Sequence, residues 1–499
     1  MATKKAASTL TRARKTTTTR RVKSSNAATS RSDWKVRIRM YRKWLGDCFL
    51  LTFRNGAKEE HILIDCGALS GTPAGKATIR AAAEDIRTTT DGALRALVVT
   101  HEHWDHVSGF SDAADIFEDK FKIDEVWAAW TEDPNQTVAN EKKKQRLNQL
   151  AAIEAGLQHW NKPGSTEEQQ QMGAAVTALL DFMPPGGLAA FSDGTNTAMK
   201  TALGLGKLQF LEPGDILTKS WLPGIQVFVL GPPKDIKALR NTTGNEDTDM
   251  YALSLVAASD ASLTQAFSAA ARGQLPDSDV QDTYRPFDRY LQWDEAVWED
   301  QSQPWHSLSI SYAEEKDRRV DNDWLNSVAE LALQLDSYTN NTSLVLAFQF
   351  EDSGDVLLFV GDAQIGNWLS WSNVKFKGKT TVSDLLAKTI FYKVGHHGSH
   401  NATLKTGGLE VMQSPRLVAS IPVDQEFAHR PKGGCPNGWD MPAGPLLKAI
   451  TEKTKGRILR GDSDFPQGAK QPSRLNDREW KDFLNSVNVE ENYIEYFVS

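Results

Sequence analysis

Cysteine is scarce in this chain of 499 residues: Cys48, Cys66 and Cys435 are the only three, and they have neither CxxC nor zinc-finger spacing. An odd count spaced in this way argues against a disulfide framework and fits a reducing compartment. Long apolar runs are missing as well. No stretch approaches the ~20 consecutive apolar residues of a membrane-spanning helix, and no apolar segment near Met1 reads as a secretory signal, so the expectation is a soluble, cytoplasmic protein. Acidic residues are absent from Met1 to Arg31, which holds nine Lys or Arg. With those nine positive charges set aside, the −7 of the whole chain becomes −16 for the remainder. The first segment also has almost no large apolar residue, so it cannot offset its ordering entropy, and residues 1–32 are expected to be a disordered basic tail. Such a tail can hold nucleic acid or an acidic membrane surface, serve as a transit peptide, or be merely solvated. No repeat of fixed period is present, which argues against solenoid architectures.

What is present is a composition of 40% apolar and 24% charged residues, that of an ordinary globular protein. From Asp33 the pattern turns to short apolar runs: strands at Trp34 to Met40, Cys48 to Phe53 and His61 to Asp65, with Asn55-Gly56 as a hairpin turn. A helix around Ala77 to Thr88 precedes a buried-type strand, Ala93 to Thr100, which runs directly into His101. After a strand at Ile123 to Trp130 comes a polar, helical stretch, Thr137 to Met183, broken by Pro184-Pro185-Gly186-Gly187. Strands resume at Lys207 to Leu211 and Ile225 to Leu230. Asn241 to Tyr338 is irregular, acidic and Trp-rich, with a helical pattern at Trp324 to Leu335. The spacing thus predicts one domain over 33–499 with insertions at about 135–200 and 241–340. Ser343 to Phe350 and Asp355 to Val360 pair across a turn, the second ending in Gly361-Asp362; Thr389 to Val394 ends in Gly395-His396-His397-Gly398-Ser399-His400. Arg416 to Pro422, a helix over Ala443 to Lys453 and a last strand pair close the chain.

Three apolar strands therefore end in His or Asp clusters, where a strand fixes the backbone and a loop presents side chains. His101, His103, Asp105 and His106 lie within six residues, a nitrogen and carboxylate set suited to zinc or similar cations. Asp362 follows a glycine at a strand end, where a carboxylate can bridge two cations. His396 and His397 stand near glycines that let the backbone approach a ligand, one suited to metal and the other to substrate.

His101-Glu102-His103-Trp104-Asp105-His106 resembles the HxHxDH motif of the metallo-β-lactamase superfamily. Leu45-Gly46-Asp47-Cys48, Ile64-Asp65-Cys66-Gly67, Gly361-Asp362 and His396-His397-Gly398-Ser399 resemble the metallo-β-lactamase domains of DNA-uptake competence proteins and their soluble relatives. These matches cover about Asp33 to Asp133 and Ser343 to Lys453. The resemblance implies an α/β fold, a four-layer αβ/βα sandwich, and a hydrolase with two divalent metal ions, zinc or manganese. It assigns His101 and His103 to one metal, Asp105 and His106 to the other, Asp362 as the bridge, and His396 or His397, with preference for His396, as the last ligand. Two departures stand out. The competence branch carries Asp where this chain has His103, and the third histidine expected for the first metal has only His159 and His306 as candidates, neither at a strand end. His429, in Phe427-Ala428-His429-Arg430-Pro431, takes the place of a His-Pro element and is a candidate to contact phosphate, while Asp65 is a candidate to orient a ligand histidine.

The implied mechanism is hydrolysis by a metal-activated hydroxide, oriented by Asp105 or Asp362, with His397 or His429 stabilising the leaving oxygen. A phosphoesterase or nuclease is the first reading, with nucleic acid reached through the basic tail. The acidic remainder and the cap-like insertions instead favour a small-molecule ester, thioester or lactone. A non-catalytic metal-binding module is the third reading, supported by the missing histidine. Trp104, Trp127, Trp130, Trp293, Trp298, Trp305, Trp368 and Trp371 are expected to pack in the core rather than line a stacking groove.

Overall fold

The computed structural model describes residues 35–69, 75–137, 187–241, 300–314, 336–430 and 438–499, together with isolated positions between 139 and 173. The basic tail, His159, Cys435, Trp293, Trp298 and the helical readings over most of 137–183 and over 324–335 lie outside these residues. The strands are β1 (Val36–Tyr41), β2 (Phe49–Asn55), β3 (Lys58–Ile64), β4 (Ala93–Val99), β5 (Lys122–Ala129), β6 (Lys207–Leu211), β7 (Ile216–Thr218), β8 (Ile225–Gly231), β9 (Val345–Phe350), β10 (Val356–Phe359), β11 (Thr389–Lys393), β12 (Val418–Ile421), β13 (Ile458–Arg460), β14 (Val487–Val489) and β15 (Tyr493–Val498). They form two sheets, ordered β14-β15-β1-β2-β3-β4-β5-β6 and β13-β12-β11-β10-β9-β8-β7.

The alternation of side chains along each strand divides the core into three zones. Ile38, Phe49, Ile64, Ala96 and Val98 of the first sheet meet Val229, Phe348, Leu357, Phe359 and Phe391 of the second in one apolar layer. Phe359 sits edge-on to Phe49 and Phe348, with ring centres 5.7 and 6.0 Å away. Burying a ring of that size contributes about 1.5–3 kcal/mol. The opposite face of the first sheet, including Leu63, Leu97 and Val99, packs under Ile79, Ala82 and Ile86 of helix Gly75–Thr90, Phe110, Phe117, and Met199 and Ala202 of helix Gly187–Gly204. The outer face of the second sheet, including Leu358, Tyr392 and Ala419, is covered by Ile365, Trp368, Leu385, Leu446 and Ile450. Helix, sheet, sheet, helix is the four-layer αβ/βα sandwich expected from the sequence.

The predicted strands recur with ends shifted by a few residues, while β7 and β13 were not foreseen because three residues carry no readable period. Helix Asp477–Ser486 was also unforeseen; Asn476 and Glu479 form a reciprocal capping box at its start. Trp104, Trp127, Trp130, Trp368 and Trp371 are all buried, in accord with core packing, whereas Trp305 is only half-buried. Among the described residues no helix is long and apolar enough to cross a membrane.

What positions the site is strand direction. In the first sheet β3, β4 and β5 run parallel, and in the second β10, β11 and β12 do. β3 runs into Asp65, β4 into His101, β10 into Asp362 and β11 into the His396–His397 turn. The two sheets meet at this edge, where the Leu344 N–H donates to the Thr100 carbonyl at 2.9 Å.

Candidate metal centre

The first loop is shaped by two glycines. A Cβ on Gly67 would lie 2.3 Å from the carbonyl carbon of Asp105 and from the amide nitrogen of His106, and one on Gly46 would lie 2.7 Å from the Asp105 carbonyl oxygen. This close approach lets the Asp47 N–H donate to the Asp105 carbonyl and the Cys66 N–H to that of His106, each at 3.0 Å. The two motifs read as Leu45-Gly46-Asp47-Cys48 and Ile64-Asp65-Cys66-Gly67 are thus the backbone cradle of the His101–His106 loop. Extended His103 leads into a single helical turn, Trp104–Val107, which carries Asp105 and His106 inward.

Four side chains converge: Asp105, His106, Asp362 and His397 each place one ligand atom within 4.8 Å of the others, and all four are fully buried. His106 directs Nδ1–H to Asp65 Oδ2 at 2.7 Å, leaving Nε2 turned inward, 3.1 Å from Asp362 Oδ2. His397 directs Nδ1–H to the Pro422 carbonyl at 2.7 Å and places Nε2 2.9 Å from Asp105 Oδ2. A histidine anchored through one nitrogen presents the other as a metal ligand. Asp105 Oδ1, Asp362 Oδ2 and His106 Nε2 are buried without a hydrogen-bond partner. Buried polar atoms left in this way are costly, and a divalent cation among them would relieve that cost. The donor set of two carboxylates and two imidazoles fits such a cation.

The group contains His397 in the place for which the sequence favoured His396. Both residues adopt left-handed backbone, φ 41° at His396 and 52° at His397, an uncommon and strained conformation for a non-glycine residue. The tight turn sends the two rings to different partners. His396 Nδ1 lies 2.9 Å from Gln364 Nε2 and from Ser399 Oγ, and its backbone N–H donates to Asp362 Oδ1 at 2.9 Å.

His101 and His103 lie beside this group rather than in it. His101 Nε2 and His103 Nδ1 approach to 3.1 Å, while His101 Nδ1 is near Thr100 Oγ1 and Ser343 Oγ at 3.1 and 3.3 Å. The nearest carboxylate to His103 was not anticipated: Asp336 Oδ1 lies 3.8 Å from Nε2, and Asp336 Oδ2 accepts from Asn340 Nδ2 at 3.0 Å. His306 begins helix His306–Glu314 and belongs to no ligand group among the described residues. His429 is exposed at the end of helix Gln425–Ala428, beside Lys43, Asp424 and Asp462, and is not brought into the buried group. The same connection instead supplies the Pro422 carbonyl.

Charge is concentrated here. Burial alone would depress His106, yet Asp362, Asp47, Asp105 and Asp65 hold it well above the ordinary histidine value. Burial would likewise raise Asp362, but Lys393 and His106 hold it well below the ordinary carboxylate range. Without comparable partners, burial takes His103 down to about 4 and His396 to about 3, and pushes Asp336 up to about 8. Burial thus keeps His103 and His396 neutral at pH 7. Lys393, from the end of β11, is buried between Asp47 and Asp362. Sequence reasoning missed Lys393 and Asp336, because the spacing of a single lysine or aspartate carries no motif.

At the joined edge of an αβ/βα sandwich, the chain thus gathers a buried group of histidines and aspartates that could hold a metal ion. The family model of the metallo-beta-lactamase superfamily matches residues 42–186, which include the whole His101–His106 loop. No curated protein sequence matches the chain. Over residues 42–186 the chain is similar to the metallo-β-lactamase superfamily, whose members are generally hydrolases.

Proposed function

We propose that this protein is a phosphoesterase that works with two divalent cations, zinc or manganese. The observation that carries this reading is the buried Asp105, His106, Asp362 and His397 group, in which Asp105 Oδ1, Asp362 Oδ2 and His106 Nε2 lack hydrogen-bond partners. In this reading Asp105, His106 and His397 would hold one cation and His101 and His103 the other, with Asp362 as a shared ligand. When bound, divalent cations lower the pKa of the attacking water and offset charge on the attacked group. The chain's own contribution is placement. Asp65 and the Pro422 carbonyl fix the tautomers of His106 and His397, so that both direct a lone pair inward. Asp105 Oδ1 is available to accept the proton of an attacking water and to orient it. His397 serves as a ligand rather than as a donor to the leaving oxygen. The His396 to Ser399 element, which resembles that of competence-type domains, favours a phosphoester over other bonds.

The acidic remainder of the chain supports a second reading, a compact ester, thioester or lactone as substrate, because a surface of net charge −16 repels polyanions. Hydrolysis of bis-p-nitrophenyl phosphate by the zinc- or manganese-loaded chain distinguishes the two. Turnover that disappears in Asp105→Ala is expected. Stoichiometric metal without phosphodiester turnover, but with turnover of a thioester or lactone, would replace the first reading by the second.

A further inference from the structure

Lys393 is 1% exposed, and a buried ammonium needs a partner for each of its three donors. It has them. Nζ donates to the Gly361 carbonyl at 2.6 Å and to Asp362 Oδ1 at 3.0 Å, and it forms a close ion pair with Asp47 from the β1–β2 connection. With all three donors engaged, none remains for a substrate. Asp362 is held unevenly as a result. Its Oδ1 accepts both from Lys393 and from the His396 backbone N–H, whereas Oδ2 accepts no hydrogen bond and stands 3.1 Å from His106 Nε2 and 3.9 Å from His397 Nε2.

A carboxylate can meet a cation through one oxygen or through both, and the choice sets coordination number and geometry. We propose that Lys393 is a positioning residue: anchored by Asp47, it holds Asp362 Oδ1 out of the metal group, so that this carboxylate meets cations through Oδ2 alone. The inference rests on the metal-centre reading above. It joins three otherwise separate features of the sequence, Asp47 before β2, Asp362 after β10 and the lysine just before the Gly395-His396-His397 turn, into one device. A neutral donor would fix the oxygen less firmly, because hydrogen bonds between charged groups are roughly twice as strong as neutral ones. The ammonium also offsets part of the negative charge of Asp47 and Asp362, both buried.

The test compares the cobalt(II)-loaded full chain with the double variant Lys393→Met/Asp47→Asn, which removes the Lys393–Asp47 pair as a unit and leaves the charge of Asp362 to the cation. Circular dichroism verifies the fold, and the visible absorption band of cobalt(II) reports coordination. In the double variant the freed Oδ1 joins the cation, so the band loses intensity and moves to shorter wavelength. Asp47→Asn alone, which leaves Lys393 on Asp362, keeps the wild-type band. A double-variant spectrum superimposable on that of wild type would overturn the inference. Should the double variant not fold, Lys393→Gln, neutral and shorter, is read in the same way. Failure of the wild-type chain to bind cobalt(II) would overturn the metal-centre reading itself, whereas binding with an unchanged variant spectrum would overturn only the role of Lys393.

Discussion

Replacing Asp65 by asparagine tests whether the tautomer of His106 is set from behind. Asp65 accepts three hydrogen bonds: the Thr100 N–H at 2.8 Å, the Thr100 hydroxyl at 2.6 Å and His106 Nδ1–H at 2.7 Å. Its backbone is left-handed, with φ 54°, a conformation that asparagine tolerates, so the exchange adds no strain. The amide oxygen of the introduced side chain would keep the bond from the Thr100 N–H, but its NH2 would face His106 Nδ1. The proton of His106 would then move to Nε2, pointing into the ligand group where a lone pair is required. Loss of a carboxylate behind a metal-binding histidine typically costs about 10–100-fold in metal affinity, or about 1.4–2.7 kcal/mol. Competition with a chromophoric chelator at neutral pH measures the dissociation constants of wild type and Asp65→Asn. A variant that binds metal within about threefold of wild type would refute the argument, since about 0.65 kcal/mol is too small for a misplaced proton.

Gly67→Ala should lower both thermal stability and metal content, because the new methyl would meet the backbone of Asp105 and His106 at 2.3 Å. Overpacking of this kind typically costs about 1–3 kcal/mol, whereas Gly56→Ala, with open space around its turn, should leave metal content unchanged; metal analysis and thermal denaturation of both variants check this. Glu60 provides a pH test. Burial would raise its carboxyl, but hydrogen bonds from Arg95 and Lys58 hold it below its ordinary value of 4.5. A depressed folded-state value contributes stability that is fully present above the unfolded value and lost as pH falls through the folded one. In urea denaturation, the stability advantage of wild type over Glu60→Gln should therefore be constant above about pH 5.5 and shrink below pH 4.5; an advantage that grows on acidification would contradict this.

Much of the site was legible because its residues are local. The His101–His106 loop and Asp362 each follow an apolar strand, so strand period and residue type together place them. The choice between His396 and His397 was not legible. It depends on two consecutive left-handed residues that turn adjacent rings to different partners, and nothing in the residue types specifies that turn. Asp336 and Lys393 were beyond reach for another reason, since the groups they meet, His103 for one and Asp47 and Asp362 for the other, are distant in sequence. His429 was placed near the site by its resemblance to a His-Pro element, but it stands exposed at the end of helix Gln425–Ala428. In the fold, the long strands announced themselves by period, whereas β7 and β13 are too short to do so. Helix Gly187–Gly204, within the stretch read as an insertion, packs on the outer face of the first sheet through Ala198, Met199 and Ala202.

The most direct test of the central claim is elemental analysis of the dialysed chain beside His397→Ala and His396→Ala. If Asp105, His106, Asp362 and His397 form the metal centre, the wild-type protein and His396→Ala retain divalent metal, and His397→Ala loses it. Absence of metal from the wild-type protein, or loss in His396→Ala with retention in His397→Ala, would contradict the account.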